Sequence, residues 1–183
     1  MADCKPQQFK SKSGAQVVVR SASKQDAAAI LELSSSVIGE EVYQLTSSSE
    51  FKMTIEAEEK WIESHLANPN HIILVAEMNS RIVGLLDFSN GHRQRIAHTG
   101  EFGMSVEKTV RDQGVGSLLL KALIEWAAKN GTVEKLGLNV HSNNDRAIAL
   151  YKKMGFEVEG IRKRDLKYGE DQYIDTVVMG RFV

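Results

Sequence analysis

The chain has 183 residues, 42% hydrophobic and 26% charged, the size and balance of one soluble domain that can bury its own core. Its 23 basic and 24 acidic residues leave a formal net charge of -1, without the basic excess expected of a nucleic-acid-binding protein. A single cysteine, Cys4, excludes an intrachain disulfide, no run of about 18 apolar residues offers a membrane span, and residues 1–12 lack a signal-peptide core, so the expectation is a cytoplasmic protein with neither nucleic-acid nor membrane partner.

Residues 1–14 are polar, contain Pro6 and Gly14, and read as a flexible lead-in to a domain over residues 15–183. Val17–Val19 form a β-branched run that ends near Ser21. Ser23 with Asp26 three residues later resembles a capping pair, and Ala27, Ile30 and Leu31 follow at helical spacing. Residues 34–50 are rich in serine and glutamate and predict a loop. Glu56–Leu66 returns to helix and is stopped at Asn68-Pro69-Asn70. Three strands come next: Ile72–Met78, Ile82–Phe88 after a turn at Asn79-Ser80, and Arg95–Val106 after Ser89-Asn90-Gly91. Gly100 and Gly103 inside the last of these suggest a bulge or a close backbone approach. A glycine loop at Arg111–Ser117 leads into a helix over Leu118–Lys129, and Lys135–Val140 is a short strand. Asn144 opens another helix, with Ala147, Leu150, Tyr151 and Met154 on one stripe and Gly155 at its end. Strands over Phe156–Lys167 and Gln172–Phe182 close the chain, so the pattern predicts a mixed α/β domain of about seven strands and about four helices.

The segment Arg111-Asp112-Gln113-Gly114-Val115-Gly116-Ser117 lies between a strand and a helix. A helix start carries unpaired N–H groups and a partial positive charge. Glycines at 114 and 116 let an anion approach that backbone, and Arg111 could add a charge-assisted contact, so the loop is a candidate phosphate or pyrophosphate cradle. A Walker loop would need Lys-Ser/Thr after the last glycine, and a dinucleotide fingerprint would need a glycine where Leu119 stands. The plainer alternative is a helix start whose glycines serve packing.

The strand end Met104-Ser105-Val106, the loop Arg111-Asp112-Gln113-Gly114-Val115-Gly116 and the following helix resemble the first signature of the GNAT superfamily of N-acetyltransferases. Leu138-Asn139-Val140, Asn144, Ala147–Tyr151 and Gly155-Phe156 resemble its second signature, and the final two strands its C-terminal hairpin. The resemblance covers roughly residues 16–182. It implies a mixed, mostly antiparallel sheet with a V-shaped split between the fourth and fifth strands, those ending at Val106 and Val140. It also implies acetyl-CoA as co-substrate: the pantetheine arm lies in the split against the backbone of Met104, Ser105 and Val106, and the pyrophosphate on the N–H groups of Gln113–Ser117. Asp112, Asn139 and Ala147 join the cofactor-binding set. Asn144 would touch the pantetheine or cap its own helix.

In such a protein a substrate amine attacks a thioester. A free alkyl amine has a pKa of about 10, so a base that keeps it neutral is useful. Glu101, in the strand leading to the cofactor loop, is the base candidate, acting through water; a solvated strand carboxylate is the alternative. A backbone N–H near Val106 would steady charge on the thioester oxygen. Tyr151 matches the family's general acid, which would protonate the departing thiolate, unless it only packs in the apolar stripe.

His65, His71, His92, His98 and His141 have no metal-binding spacing, so no metal is expected; His98 could line the acceptor site, though a structural role is the simpler reading. Glu40, Glu41 and Tyr43 fall in the loop that in this family commonly borders the acceptor pocket, and acidic residues there suit a cationic amine; a solvated loop is the alternative. The expected acceptor is a small-molecule amine. A protein N-terminus or lysine, and a non-catalytic acyl-CoA sensor, are the alternatives. A homodimer is the default expectation for any self-assembly.

Overall fold

The apolar run Ile72–Met78 becomes a strand, β3, buried at every position but Glu77. Its two faces serve two cores. Ile72, Leu74 and Ala76 pack with Leu119, Leu120 and Leu123 of one helix, while Ile73 and Val75 pack with Ile30, Leu33 and Ile62 of two others. A strand covered on both sides has no use for alternation, which explains the continuous hydrophobic pattern.

A computed structural model describes residues 4–40 and 42–183. The elements are β1 (Gln7–Lys10), β2 (Gln16–Ser21), α1 (Ala27–Ile38), α2 (Ile55–Ala67), β3, β4 (Arg81–Asn90), β5 (Thr99–Val106), α3 (Val115–Asn130), β6 (Lys135–His141), α4 (Asp145–Lys153), β7 (Glu157–Gly169) and β8 (Gln172–Phe182). The eight strands form one sheet in the order β1-β2-β3-β4-β5-β6-β8-β7. All neighbours are antiparallel except β5 and β6, which are parallel. Helices α1 and α2 cover one face; α3 and Tyr151 of α4 pack into the core on the other.

Parallel pairing of β5 with β6 stops early. It joins Thr99 to Lys135, Gly100 to Leu136 and Glu101 to Gly137, and goes no further, although β5 runs on to Val106 and β6 to His141. The two strands diverge, which is the expected V-shaped split. From residue 102 onward, β5 has a backbone edge without a strand partner on that side.

Several boundaries differ from the sequence reading. Residues 7–10, read as lead-in, pair with β2 as an edge strand, so the sheet has eight strands rather than seven. Alternation over four residues is too short to distinguish from a polar tail. Helix α1 runs through Ser34–Ser36 to Ile38, because Val37 and Ile38 continue its buried stripe. Residues 94–96 form a 3-10 turn rather than the start of a strand. Finally, β4 and β5 pair without a register shift from Gly84–Val106 to Asn90–Gly100, so the glycines carry no bulge. Gly100 answers to close approach instead: a Cβ there would lie 2.3 Å from the Ser89 carbonyl oxygen.

Candidate active site

Helix α3 begins on Gly114, whose φ of 93° lies in the left-handed region, and Asp112 two residues earlier has φ 64°. Glycine at 114 suits that left-handed backbone and answers to no crowding, since a Cβ there would meet nothing within 4 Å. Gly116 answers partly to packing: a Cβ would sit 3.2 Å from Leu150 Cδ2 and 3.4 Å from Met104 Cε. The first intrahelical bond runs from the Leu118 N–H to the Gly114 carbonyl at 3.1 Å, and no side chain caps the start. The amides of Val115, Gly116 and Ser117 therefore precede the helical ladder with no acceptor among the described residues, and could receive a diphosphate. The loop is braced from behind. The Gln113 carbonyl accepts from the Lys12 N–H at 3.0 Å, and its side-chain oxygen accepts from the Ser13 hydroxyl at 2.7 Å.

Arg111 behaves differently from the expectation of a direct phosphate contact. Its Nε donates to the Val106 carbonyl at 3.0 Å, and its two Nη atoms hold the Glu40 carboxylate at 2.6 and 2.5 Å. The guanidinium thus ties the end of β5 to the segment after α1. Asp112 pairs with Arg146 of α4 at 3.0 Å, on the surface.

Met104, Ser105 and Val106 lie on the stretch of β5 beyond the last β6 pair. Ser105 also lines a cavity of about 450 Å³ with Ser34 and Ile38 of α1 and Phe51 and Met53 of the following loop. Tyr43, in that same loop, sets its ring edge-on against His141, and its hydroxyl donates to the Asn143 carbonyl at 3.4 Å. Glu41 lies outside the described residues.

Tyr151 packs edge-on against Phe102 and Phe156, with ring centroids 5.8 and 6.0 Å away. Burial pushes its phenol up to about 12. The hydroxyl bonds to no described residue. Yet no buried side-chain nitrogen or oxygen among the described residues lacks a partner, so the phenol oxygen still reaches solvent. Phe102 is the first β5 residue beyond the paired stretch, which sets Tyr151 beside the root of the split.

Glu101 emerges on the opposite face, because alternate residues of β5 point to opposite sides. Its Oε2 accepts from Asn139 Nδ2 at 2.8 Å, and Asn139 Oδ1 accepts from Arg162 Nη2 at 2.8 Å. Asn139 therefore links Glu101 to Arg162 at the root of the split. Asn144 caps α4, one of its two expected roles, its Oδ1 accepting from the Ala147 N–H at 3.2 Å. The two proton-transfer candidates thus sit on opposite faces of one sheet, with the split between them.

Some polar groups here escaped the sequence reading. Arg162 is one; nothing in its local pattern distinguishes it from Lys163 and Arg164. A second set lies under α2. Glu58 and Asp87 are drawn into the interior, and burial pushes both carboxyls above the usual range. His65 bridges the Trp61 carbonyl and the Ser89 hydroxyl, both at 3.1 Å. A carboxylate on the inward stripe of a helix or strand was the available signal: Glu58 is one turn before Ile62, and Asp87 shares its face of β4 with Leu85. His98 contributes its carbonyl, which accepts from the Glu134 N–H at 2.7 Å. No group of three His, Cys, Asp or Glu side chains among the described residues could hold a metal ion.

A profile of the acetyltransferase (GNAT) family matches residues 39–156, a span that includes the α3 start, the split and Tyr151. The chain is 32% identical to the L-amino acid N-acetyltransferase AaaT of Escherichia coli strain K12 over 91% of its own length and 98% of that protein. It superposes on a GNAT-family acetyltransferase of Streptococcus pneumoniae with a TM-score of 0.88 at 30% identity, covering 91% of this chain and 99% of that one. It shares the fold of the Salmonella typhimurium protein yncA, solved with its cofactor acetyl-CoA, with a TM-score of 0.80 at 23% identity over 91% and 93% of the two chains. The chain therefore belongs to the acetyltransferase (GNAT) family and is an acetyl-CoA-dependent acyltransferase.

Proposed function

We propose that the protein transfers the acetyl group of acetyl-CoA to the primary amine of a small molecule by direct attack within the β5–β6 split. One observation carries this reading: Glu101 and Tyr151 flank the split from opposite faces of the sheet. Such an arrangement suits a reaction in which an amine arrives from one side and a thiol departs on the other.

Acetyl-CoA would supply the thioester carbon and the thiol leaving group. The chain's own part is to hold and to move protons. The bare amides of Val115, Gly116 and Ser117 would bind the diphosphate, with Gln113 and Gly114 completing the loop. The unpaired edge of β5 at Met104, Ser105 and Val106 would align the pantetheine amides, and its free N–H groups would face the carbonyl oxygen. Arg111, turned to Glu40, would hold this edge in place rather than neutralise phosphate. Glu101, through water, would take the proton that the amine loses as its C–N bond forms. Tyr151 would return a proton to sulfur as the C–S bond breaks. A phenol raised to about 12 stays protonated at neutral pH and so is ready to donate. Asn144 and Ala147 begin the helix that carries this phenol. A cytoplasmic location goes with the reading, and no helix among the described residues is long and apolar enough to cross a membrane.

The test is turnover. The protein and acetyl-CoA are incubated with a panel of small amines, free amino acids and peptides, and thiol release is followed. Acetylation of at least one small amine, faster than of any peptide, is the expected result. Tight acetyl-CoA binding without thiol release would instead identify an acyl-CoA sensor. Calorimetry showing ATP or NAD bound in preference to acetyl-CoA would remove the cradle.

A further inference from the structure

Strand β7 is irregular where it passes the split. Arg162 pairs with Thr176 and Leu166 with Ile174, so β7 spends four steps where β8 spends two. Arg164, inside the excess, has φ 52°, a left-handed conformation rare for a non-glycine residue. Asp175 of β8 braces the bulge: one carboxylate oxygen accepts from the Arg164 N–H and the other from Lys163 Nζ, both at 2.8 Å. The Arg164 guanidinium stacks 4.1 Å from the Tyr173 ring centre. Bulges next to active sites commonly re-aim a side chain, and backbone held in a sparsely populated region points to a use for it.

Here the re-aimed side chain is Arg162. Asp165, in the same bulge, forms an ion pair with Nε at 3.2 Å that holds the guanidinium in place. Nη2 then reaches Asn139 Oδ1 at 2.8 Å, and the amide's other end donates to Glu101. Neither charged partner leaves Asn139 a choice: a carboxylate only accepts and a guanidinium only donates, so the amide orientation follows. The remaining N–H groups of Arg162 have no partner among the described residues, and 53% of its side chain is exposed. A cation with a free edge and the proposed base are thus held one amide apart, on the face from which an amine would approach.

We propose that Arg162 is the carboxylate anchor of the acceptor site and makes the free α-amino acid the preferred acceptor class. An α-amino acid carries its amine and its carboxylate on one carbon, which matches two opposite charges separated by one amide. Its carboxylate would meet the open guanidinium edge in a paired, charge-assisted contact, and its amine would be directed to Glu101. A peptide N-terminus has an uncharged amide where that carboxylate would be, and a simple amine has nothing there. The inference rests on the acetyltransferase reading above and adds the acceptor to it.

The experiment uses the L-amino acids as a panel, each beside its amide and its decarboxylated amine, and compares kcat/KM in the wild type and in Arg162→Gln and Arg162→Lys. The wild type should favour the acid over the amide by roughly tenfold to a hundredfold, the scale of one lost charge-assisted bond. Arg162→Gln should erase that preference by raising KM for the acids far more than for the amides, and Arg162→Lys should restore part of it. Equal rates on acids and amides in the wild type would overturn the anchor and leave the acetyltransferase reading intact. An acid preference unchanged in Arg162→Gln would overturn it as well. No acetylation of any amine would remove both. The acid-to-amide ratio is measured on unmodified protein, so it stands even where a variant folds poorly.

Discussion

Helices α3 and α4 lie on the same side of the sheet, yet they begin in opposite ways. Helix α4 opens on Asn144, whose side chain satisfies the Ala147 amide, with Asp145 in its first turn. Helix α3 opens on Gly114 with no cap and no acidic residue in its first turn. An N-cap is worth about 1 kcal/mol, and α3 forgoes it. It can do so because Val115, Leu119, Leu120, Leu123 and Ala127 anchor it in the core, whereas Tyr151 is the one buried residue of α4. Burial of apolar side chains, each contributing about 1.5–3 kcal/mol, outweighs a missing cap. The contrast separates a helix start closed by its own side chain from one left without a side-chain cap, as an anion-binding start would need to be.

The largest expected effect comes from spoiling the bare start. Gly114→Asp adds a negative charge where a diphosphate would bind and forces a side chain onto a left-handed backbone. We expect the acetyl-CoA Kd to rise about 100-fold by calorimetry, a cost of about 2.7 kcal/mol. An unchanged Kd would erase the distinction between the two helix starts.

Tyr151→Phe comes next. It should lower kcat about 100-fold, the lower end of what a positioned acid supplies, with acetyl-CoA affinity within about twofold. The pH profile sharpens this. An acid works while protonated, and a phenol raised to about 12 stays protonated through the neutral range, so kcat should show no decline from this group between about pH 7 and pH 10. The same burial affects stability. A folded-state value above the unfolded one, about 10, makes a contribution that is whole below pH 10 and lost as pH rises toward 12. An alkaline limb below pH 10 that Tyr151→Phe abolishes would contradict the buried phenol.

Asn144→Ala probes the capped start. Loss of about 1 kcal/mol should lower Tm by about 2–4 °C, with acetyl-CoA Kd changed less than threefold. A tenfold loss of affinity at unchanged Tm would mean that Asn144 works on the cofactor and not on its helix. Smallest of all is Arg146→Ala. It removes a pair with Asp112 whose side chains are 50% and 80% exposed, and such pairs contribute less than about 1 kcal/mol, so a Tm within about 2 °C of wild type is expected.

Local rules carried a good part of the architecture. Apolar patterning and turn signals located α2, α3, α4 and the strands β3, β4, β6 and β8, and of the two roles weighed for Asn144 the structure shows the cap. The misses have identifiable causes. A four-residue edge strand is too short to show a period, and the serines of α1 argued for a loop until Val37 and Ile38 found a core to fill. The glycines of β5 signalled crowding correctly at Gly100 but suggested a bulge that pairing with β4 does not contain. The pairing of Arg111 with Glu40, far away along the chain, had no local signal.

What the residue order determined alone was therefore one-dimensional: where the chain must turn, which faces are apolar, and where a helix starts on glycine instead of on a cap. Those features depend on bonds between near neighbours. The folded sheet decided the rest: that β5 and β6 part after Glu101, that Tyr151 and Glu101 stand on opposite sides of that gap, and that a bulge in β7 carries Arg162 to Asn139. Each of these joins residues far apart in the chain. Their meeting depends on register and strand divergence, and no local pattern encodes those.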